Sequence, residues 1–261
     1  MKIILSILFT PLVIFLTSSD ALAEIITKTV EYKQGNTVLE GYLAYDDSIQ
    51  TKRPGVLVVH EWNGLQSYTK QRTEQLAKLG YVAFAADIYG KGVRPKNRQE
   101  SAAQASFYRQ DRKLLRARAN AGLEVLKNLD MTDNSKIAAI GYCFGGGTVL
   151  ELARSGAKVA GVVSFHGNLD TPNTEDAKNI KAKVLVLHGA DDPFVPKQQI
   201  EDFEQEMREA NVDWQLISYG GAVHAFTNPK YKGEIKGALY DRKADKRSWK
   251  AMKQFFKEIF R

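Results

Sequence analysis

The feature that most constrains the fold is an alternation of short apolar runs with longer segments of helical periodicity. Gly55–His60 is apolar at nearly every position, as expected of a strand that is buried on both faces of a sheet. Ser67–Leu79 has a helical pattern and ends at Gly80, a residue common just after a helix. Tyr81–Ala86 is apolar again. This order predicts a mostly parallel sheet that is covered by helices on both faces.

The alternation continues to the C-terminus, and no repeat or change of composition divides the chain. We therefore predict a single α/β domain over residues 24–261. The predicted strands are Glu24–Tyr32, Val38–Tyr45, Gly55–His60, Tyr81–Ala86, Lys136–Ile140, Val159–Phe165, Lys183–His188 and Trp214–Tyr219. The predicted helices are Ser67–Leu79, Gln99–Leu129 with one possible break, Gly145–Arg154, Lys197–Ala210 and Ala244–Phe260. Ligands of such sheets bind beyond the carboxyl ends of the strands, so the site residues are expected in the loops that follow them.

The strongest local signal is Gly141-Tyr142-Cys143-Phe144-Gly145, which lies between a predicted strand and a predicted helix. It has the form Gly-x-nucleophile-x-Gly, in which glycine is needed because the strand and the helix approach each other closely. The start of the helix offers N–H groups and its dipole to a thiolate or an oxyanion. Cys143 is the only cysteine of the chain and cannot form an internal disulfide. We predict that it is a nucleophile; the alternative is a buried, inert residue in a glycine-rich turn.

An acid and a base are expected further along the chain, in the order nucleophile, acid, histidine. Asp191 and Asp192 follow the strand that ends at His188. Asp192 is favoured because it directly precedes Pro-Phe-Val-Pro, and Asp191 remains the alternative. His224 follows the last predicted strand and is the predicted base, whereas His188 ends a buried strand and is expected to be a packed residue.

The loop after strand Gly55–His60 is a candidate for binding a developing oxyanion. In hydrolases with such a bend, this loop supplies one N–H donor and the residue after the nucleophile supplies the other. The donors would be Trp62 and Phe144, and Glu61 is close enough in sequence to reach the thiol. His60 and Glu61 lack a third partner at helical spacing and make a poor metal site. We predict no metal and no cofactor.

These residues together resemble those of the dienelactone hydrolases, from about Ile26 to the C-terminus. The shared motifs are His-Glu-x-x-Gly at 60–64, Asp-Ile-Tyr-Gly at 87–90, Gly-Tyr-Cys-Phe-Gly-Gly at 141–146, Asp192 before Pro-Phe-Val-Pro, and His-Ala-Phe at 224–226. The resemblance implies an α/β-hydrolase fold, a Cys143–Asp192–His224 triad, and hydrolysis of small carboxylic esters or lactones through a thioester. It also implies that Glu61 contacts the thiol and helps to ionise it when substrate binds, so that the resting thiol is largely neutral.

The sequence departs from this family where the substrate carboxylate is bound. Dienelactone hydrolases hold that carboxylate with arginines, one of them shortly after the catalytic histidine, and this chain has Thr-Asn-Pro-Lys at 227–230. The basic candidates that remain are Lys91 and Arg94. We predict substrate contacts from Tyr89, Lys91, Arg94 and His166, with His166 lining the pocket without acting as the base. The hydrolytic chemistry is thus better defined than the substrate.

The N-terminal residues have the pattern of a secretory signal peptide. Lys2 precedes the apolar run Ile3–Thr17, and Ala-Leu-Ala at 21–23 forms a small-residue cleavage site. The run is shorter than the roughly 20 residues of a membrane-spanning helix, and Pro11 interrupts it. We predict cleavage after Ala23 and a periplasmic or secreted protein without stable membrane association.

Two other functions are compatible with a lone cysteine. One is a thiol redox or peroxide-responsive protein, although the chain has no resolving cysteine and no Cys-x-x-Cys motif. The other is a catalytically silent protein that binds an acyl compound. The net charge of +7 is spread along the chain, with mild clusters in predicted helices at Arg109–Arg118 and Lys243–Lys250. Such charge usually marks a solvated face, so we predict a small ester or lactone as the partner and no nucleic acid.

Overall fold

The computed structural model describes residues 24–261, so the predicted signal peptide at 1–23 lies outside the described residues. The strands are β1 Ile25–Gln34, β2 Thr37–Asp46, β3 Arg53–Val59, β4 Val82–Ala86, β5 Thr132–Tyr142, β6 Gly161–Phe165, β7 Lys183–Gly189, β8 Trp214–Tyr219, β9 Lys232–Ile235 and β10 Ala238–Leu239. The helices are α1 Ser67–Ala77, α2 Arg98–Gln110, α3 Arg112–Lys127, α4 Phe144–Arg154, α5 Lys197–Glu209 and α6 Arg242–Ile259, with a 3₁₀ helix at Thr174–Asn179. Within 24–261, no helix is long and apolar enough to cross a membrane.

The strands β1 to β8 form one sheet in the order β1-β2-β4-β3-β5-β6-β7-β8. β1 and β2 form an antiparallel hairpin, and β2 also runs antiparallel to β4. All other neighbours in this sheet are parallel. The carboxyl ends of β3 to β8 therefore lie at one edge, and the loops that hold the candidate site residues meet there.

Successive side chains of each strand point to opposite faces of the sheet. Both sets are buried in the parallel strands, because helices cover both faces. Val58 belongs to an apolar cluster that includes Phe256 of α6 and residues of α1. Leu57 belongs to the opposite cluster, which includes Leu123 of α3 and residues of α2, α4 and α5. The prediction of an α/β-hydrolase fold, with a mostly parallel sheet between helical layers, is confirmed.

The structure locates one predicted break and adds two short elements that were not predicted. The predicted helix Gln99–Leu129 is divided at Asp111, which caps α3 by accepting the N–H of Leu114 at 2.9 Å. The possible break is thus confirmed. The 3₁₀ helix and the β9–β10 hairpin were not predicted, because each is too short to carry a clear periodicity.

Candidate active site

Cys143 lies at the bend between β5 and α4, where the backbone has φ 54° and ψ −117°. A positive φ is uncommon for a residue other than glycine, and such strain persists only where the surrounding structure enforces it. His166 and Ala225, in the loops after β6 and β8, also have positive φ angles of 40° and 57°. Strained backbone is therefore concentrated at the edge where the predicted site residues meet.

The glycines on either side of Cys143 allow the strand and the helix to touch. A Cβ atom on Gly141 would lie 2.0 Å from the carbonyl oxygen of Gly145. A Cβ atom on Gly145 would lie 2.3 Å from the carbonyl oxygen of Val59, at the end of β3. The glycine requirement predicted from the sequence is thus a direct steric one, and it presses the start of α4 against the loop after β3.

A chain of hydrogen bonds joins Cys143, His224 and Asp192. The Sγ of Cys143 lies 3.1 Å from His224 Nε2, and His224 Nδ1 lies 2.7 Å from Asp192 Oδ2. Asp192 is buried and its Oδ1 accepts the N–H of Phe194 at 2.8 Å, whereas Asp191 is exposed. The structure therefore places Asp192, and not Asp191, against the histidine.

Burial and nearby negative charge shift the pKa of His224 in opposite directions. Burial lowers the pKa of this imidazole, but a negative charge on Cys143 and the hydrogen bond with Asp192 raise it by more. The net pKa of His224 is raised to about 10. The arrangement therefore stabilises the imidazolium that forms when His224 takes the proton of the thiol.

The loop that carries His224 is held by the short β9–β10 hairpin. The N–H of His224 donates to the carbonyl of Gly237 at 3.0 Å, and the N–H of Leu239 donates to the carbonyl of His224 at 3.0 Å. The ring of Phe194, which is 50% exposed, lies edge-on to the imidazole at 5.2 Å. The hairpin and this aromatic ring fix the position of the base from the solvent side.

The two predicted oxyanion donors lie on segments that contact each other. Phe144 is the first residue of α4, so its N–H has no acceptor within the helix. Its ring stacks on His60, the residue after β3, with centroids 5.9 Å apart. The loop after His60 is braced on the indole of Trp62, whose Nε1 donates to the hydroxyl of Tyr231 at 3.0 Å. Trp62 also accepts the hydroxyl of Tyr89 at its carbonyl, at 2.8 Å.

Glu61 is buried beside these donors. Its Oε2 accepts the amide N–H of Asn228 at 2.7 Å, and its Oε1 has no hydrogen-bond partner. Burial raises the pKa of this carboxyl to about 7, although Asn228 and His224 lower it in part. The thiol is hydrogen-bonded to His224 rather than to Glu61. No hydrogen bond joins Glu61 to the thiol without substrate, and the contact on substrate binding that the family resemblance implies stays a prediction.

Three of the predicted substrate-binding residues are engaged within the protein. The hydroxyl of Tyr89 holds the Trp62 carbonyl, and the ring stacks on Tyr108 with centroids 5.3 Å apart. Lys91 forms an ion pair with Glu31, and Arg94 lies 3.6 Å from the carboxylate of Asp87. Lys91 therefore links the loop after β4 to β1, whereas Arg94 pairs with Asp87 within that loop. Their contact with a substrate stays a prediction.

The other three histidines, His60, His166 and His188, are all buried. His60 is buried, with Nδ1 2.7 Å from the carbonyl of Glu61 and Nε2 accepting the N–H of Ile88 at 3.2 Å. Burial lowers the pKa of His60 to about 4, so this ring is neutral. His188 is buried, as predicted for a packed residue. His166 is fully buried as well, so it lies beneath the nucleophile rather than lining an open pocket.

Sequence reasoning missed Asn228 and Tyr231, which support Glu61 and Trp62. Both lie in the segment between His224 and β9. In the sequence, Thr227-Asn228-Pro229-Lys230 stands out only by its lack of arginine. An amide and a phenol so close to a predicted base were the signals that could have identified this segment.

A separate cavity of about 450 Å³ lies between α5 and the loop after β6. Its lining includes the carboxylates of Asp170, Asp202 and Glu209, but neither cysteine nor histidine. The cavity therefore lacks the cysteine and the histidine that the predicted chemistry needs, and Cys143 remains the candidate reaction centre.

Comparison with known proteins identifies the family. The model of the dienelactone hydrolase family matches residues 39–260. A crystal structure of a dienelactone hydrolase-like promiscuous phosphotriesterase from metagenomic libraries is 41% identical and superposes with a TM-score of 0.88, covering 91% of this chain and 99% of that one. An uncharacterized protein of Caenorhabditis elegans is 40% identical over 56% of this chain and 94% of its own length. Protein usf of Aquifex pyrophilus is 28% identical over 88% of this chain and 97% of its own length.

The family model covers most of the chain, and this solved structure has the same fold over nearly its full length. The sequence motifs, the mixed sheet and the loops at its carboxyl edge agree with this assignment. The chain therefore belongs to the dienelactone hydrolase family and is a hydrolase of the carboxylic ester or lactone class.

Proposed function

We propose that this protein hydrolyses small carboxylic esters or lactones with Cys143 as the nucleophile, His224 as the base and Asp192 as the orienting acid. The observation that carries the proposal is the hydrogen-bonded chain of these side chains at a strained strand–helix bend, with the sulfur 3.1 Å from His224 Nε2. That distance permits direct proton transfer, and the Asp192 carboxylate fixes the imidazole with Nε2 facing the sulfur.

The proposed reaction proceeds through a thioester. The sulfur of Cys143 attacks the carbonyl carbon while its proton passes to His224 Nε2, and the N–H groups of Trp62 and Phe144 bind the oxyanion. The C–O bond then breaks, and the leaving alcohol oxygen takes the proton from His224. Water next gives a proton to His224 and attacks the thioester. The acid product leaves as the C–S bond breaks, and the sulfur regains its proton.

The surroundings of the nucleophile favour an uncharged substrate. The segment after His224 has no arginine, and Lys91 and Arg94 are paired with carboxylates of the protein. The half-exposed ring of Phe194 instead provides apolar surface beside the imidazole. We therefore propose that neutral esters and lactones are better substrates than a dienelactone that carries a free carboxylate.

An acyl-enzyme trapping experiment tests this function. Short 4-nitrophenyl esters and a simple γ-lactone are mixed with the protein, the reaction is quenched in acid, and the intact mass is measured. We expect an adduct with the mass of the acyl group, located on Cys143 by peptide mapping and released by hydroxylamine. Cys143→Ala should carry no adduct and should not turn over the esters.

The outcomes also separate the rival functions. Ester hydrolysis that persists in Cys143→Ala would contradict the proposed nucleophile. Sulfenate on Cys143 without any acyl adduct would favour a redox protein. Saturable binding of esters without turnover would favour a silent acyl-binding protein.

We also propose that the protein is exported and cleaved after Ala23, in the periplasm or outside the cell. Expression of the full chain in a Gram-negative host should give a periplasmic protein whose intact mass begins at Glu24. Leu8→Arg, which interrupts the apolar run, should leave the uncleaved chain in the cells. An uncleaved wild-type protein in the cytoplasm would contradict this proposal.

A further inference from the structure

His166 lies directly after β6, between the backbone of Cys143 and the loop that carries His224. The N–H of Cys143 donates to the carbonyl of Phe165 at 3.0 Å and is shared with Nδ1 of His166 at 3.2 Å. Nε2 of His166 is 2.7 Å from the hydroxyl oxygen of Thr227. A backbone N–H can only donate, so Nδ1 must carry a lone pair. The proton of the neutral ring is then on Nε2, which donates to Thr227. One rigid ring thus connects the nucleophile to a residue close to the base in the chain.

Thr227 is itself firmly anchored. The hydroxyl of Tyr68 in α1 donates to Thr227 Oγ1 at 2.6 Å, and Arg72 donates to the Thr227 carbonyl at 2.8 Å. The same guanidinium contacts Asp245 of α6 at 2.5 Å. Thr227, at the end of the connection far from Cys143, is therefore held by the helices α1 and α6 on one face of the sheet.

We propose that His166 is a positioning residue that couples the Cys143 backbone to Thr227 and so fixes the distance between the sulfur and His224 Nε2. The inference rests on the function proposed above and assigns a role to a buried residue that does not touch the substrate. The ring of His166 also lies edge-on to His224, with centroids 5.3 Å apart, so it restrains the base through packing.

The connection requires a neutral ring. A second proton on His166 would direct an N–H group at the N–H of Cys143 and place a cation beside His224. Full burial opposes this by lowering the pKa of His166 well below its ordinary value. The geometry matters because an error of about 1 Å in the position of reacting groups costs on the order of 100-fold in rate.

The first test breaks the Thr227 end of the connection. Thr227→Val keeps the shape of the side chain and removes the acceptor, whereas Thr227→Ser keeps the hydroxyl. We expect Thr227→Val to lower kcat about 10-fold, with KM within about twofold, and Thr227→Ser to restore most of kcat. Thr73→Val is the matched control, since it removes another buried hydroxyl, bonded only to the Thr69 carbonyl in α1. It should lose comparable stability and keep its kcat.

The second test is a double-mutant cycle. His166→Asn keeps an acceptor near the position of Nδ1 and tolerates the positive φ, but its short side chain does not reach Thr227. If His166 acts through Thr227, adding Thr227→Val to His166→Asn should cause no further loss of kcat. Multiplication of the two losses would show independent effects and would overturn the proposal.

The alkylation rate of the Cys143 thiol by iodoacetamide provides a readout that needs no ester turnover. Sulfur displaces iodide in this reaction, and pairing with His224 accelerates it by stabilising the thiolate. We expect slower alkylation in Thr227→Val and an unchanged rate in Thr73→Val. Equal alkylation rates in Thr227→Val and Thr73→Val would overturn the role of His166. This comparison holds even if the protein hydrolyses no ester. Loss of ester activity by Cys143→Ala, measured in parallel, tests the proposed function separately.

Discussion

Replacing Cys143 by serine is expected to lower kcat/KM for short esters by at least about 1000-fold, which corresponds to about 4 kcal/mol of transition-state stabilisation. Serine has nearly the same shape but a far less acidic side chain. Its shorter C–O bond also withdraws the nucleophilic atom from His224 Nε2, which lies 3.1 Å from the sulfur. Stopped-flow and steady-state assays with 4-nitrophenyl acetate measure the loss.

The stability of the variant separates a chemical effect from a folding effect. Cys143 is only 9% exposed, but the exchange adds no atoms at the bend, so the unfolding midpoint should change by only a few degrees. Cys143→Ala, in which no nucleophile remains, should be at least as inactive as the serine variant. Equal activity of the wild type and Cys143→Ser would show that thiolate character is not used.

The bend at Cys143 could be predicted from the sequence because its requirements are local. Gly141 and Gly145 are needed where two backbones touch, and an apolar strand and a helix flank them in the chain. The positions of Asp192 and His224 followed from the same logic, since parallel strands end at one edge of the sheet. The choice between Asp191 and Asp192 depends on which side chain the turn directs inward, and the sequence favours one without deciding it.

The supporting contacts could not be predicted, because they join segments that are far apart in the chain. Asn228 reaches Glu61 across a separation of 167 residues, and Tyr231 reaches Trp62 across 169. The burial of His166 was missed for a related reason. Its φ of 40° turns the side chain beneath the nucleophile, and no periodic pattern encodes that angle. Tertiary geometry, rather than motif identity, distinguishes a pocket-lining residue from a buried one.

Replacing Glu61 by glutamine is expected to increase stability at alkaline pH and to decrease activity. Burial raises the pKa of this carboxyl from 4.5 to about 7 in the folded protein. The folded state therefore retains the proton more strongly than the unfolded state does. The stability contributed in this way is fully present below pH 4.5 and is lost as the pH rises through about 7.

The glutamine variant lacks this titration, because its side chain stays neutral. The free energy of unfolding of Glu61→Gln, minus that of the wild type, should therefore grow by about 3 kcal/mol between pH 4.5 and pH 8. Urea unfolding at a series of pH values measures this difference, and the other ionisable groups largely cancel in the subtraction. A difference that does not depend on pH would contradict the buried-carboxyl account.

The activity of the same variant tests whether the charge of Glu61 is used in the reaction. The carboxylate lies close enough to His224 for each charge to affect the other, and its Oε1 has no partner in the protein. If Glu61 helps to ionise the thiol when substrate binds, the acylation rate of Glu61→Gln should fall about 100-fold at pH 8. Deacylation, in which His224 activates water, should fall much less. A variant that gains stability at pH 8 and keeps its acylation rate would leave Glu61 as a buried structural acid, held by Asn228.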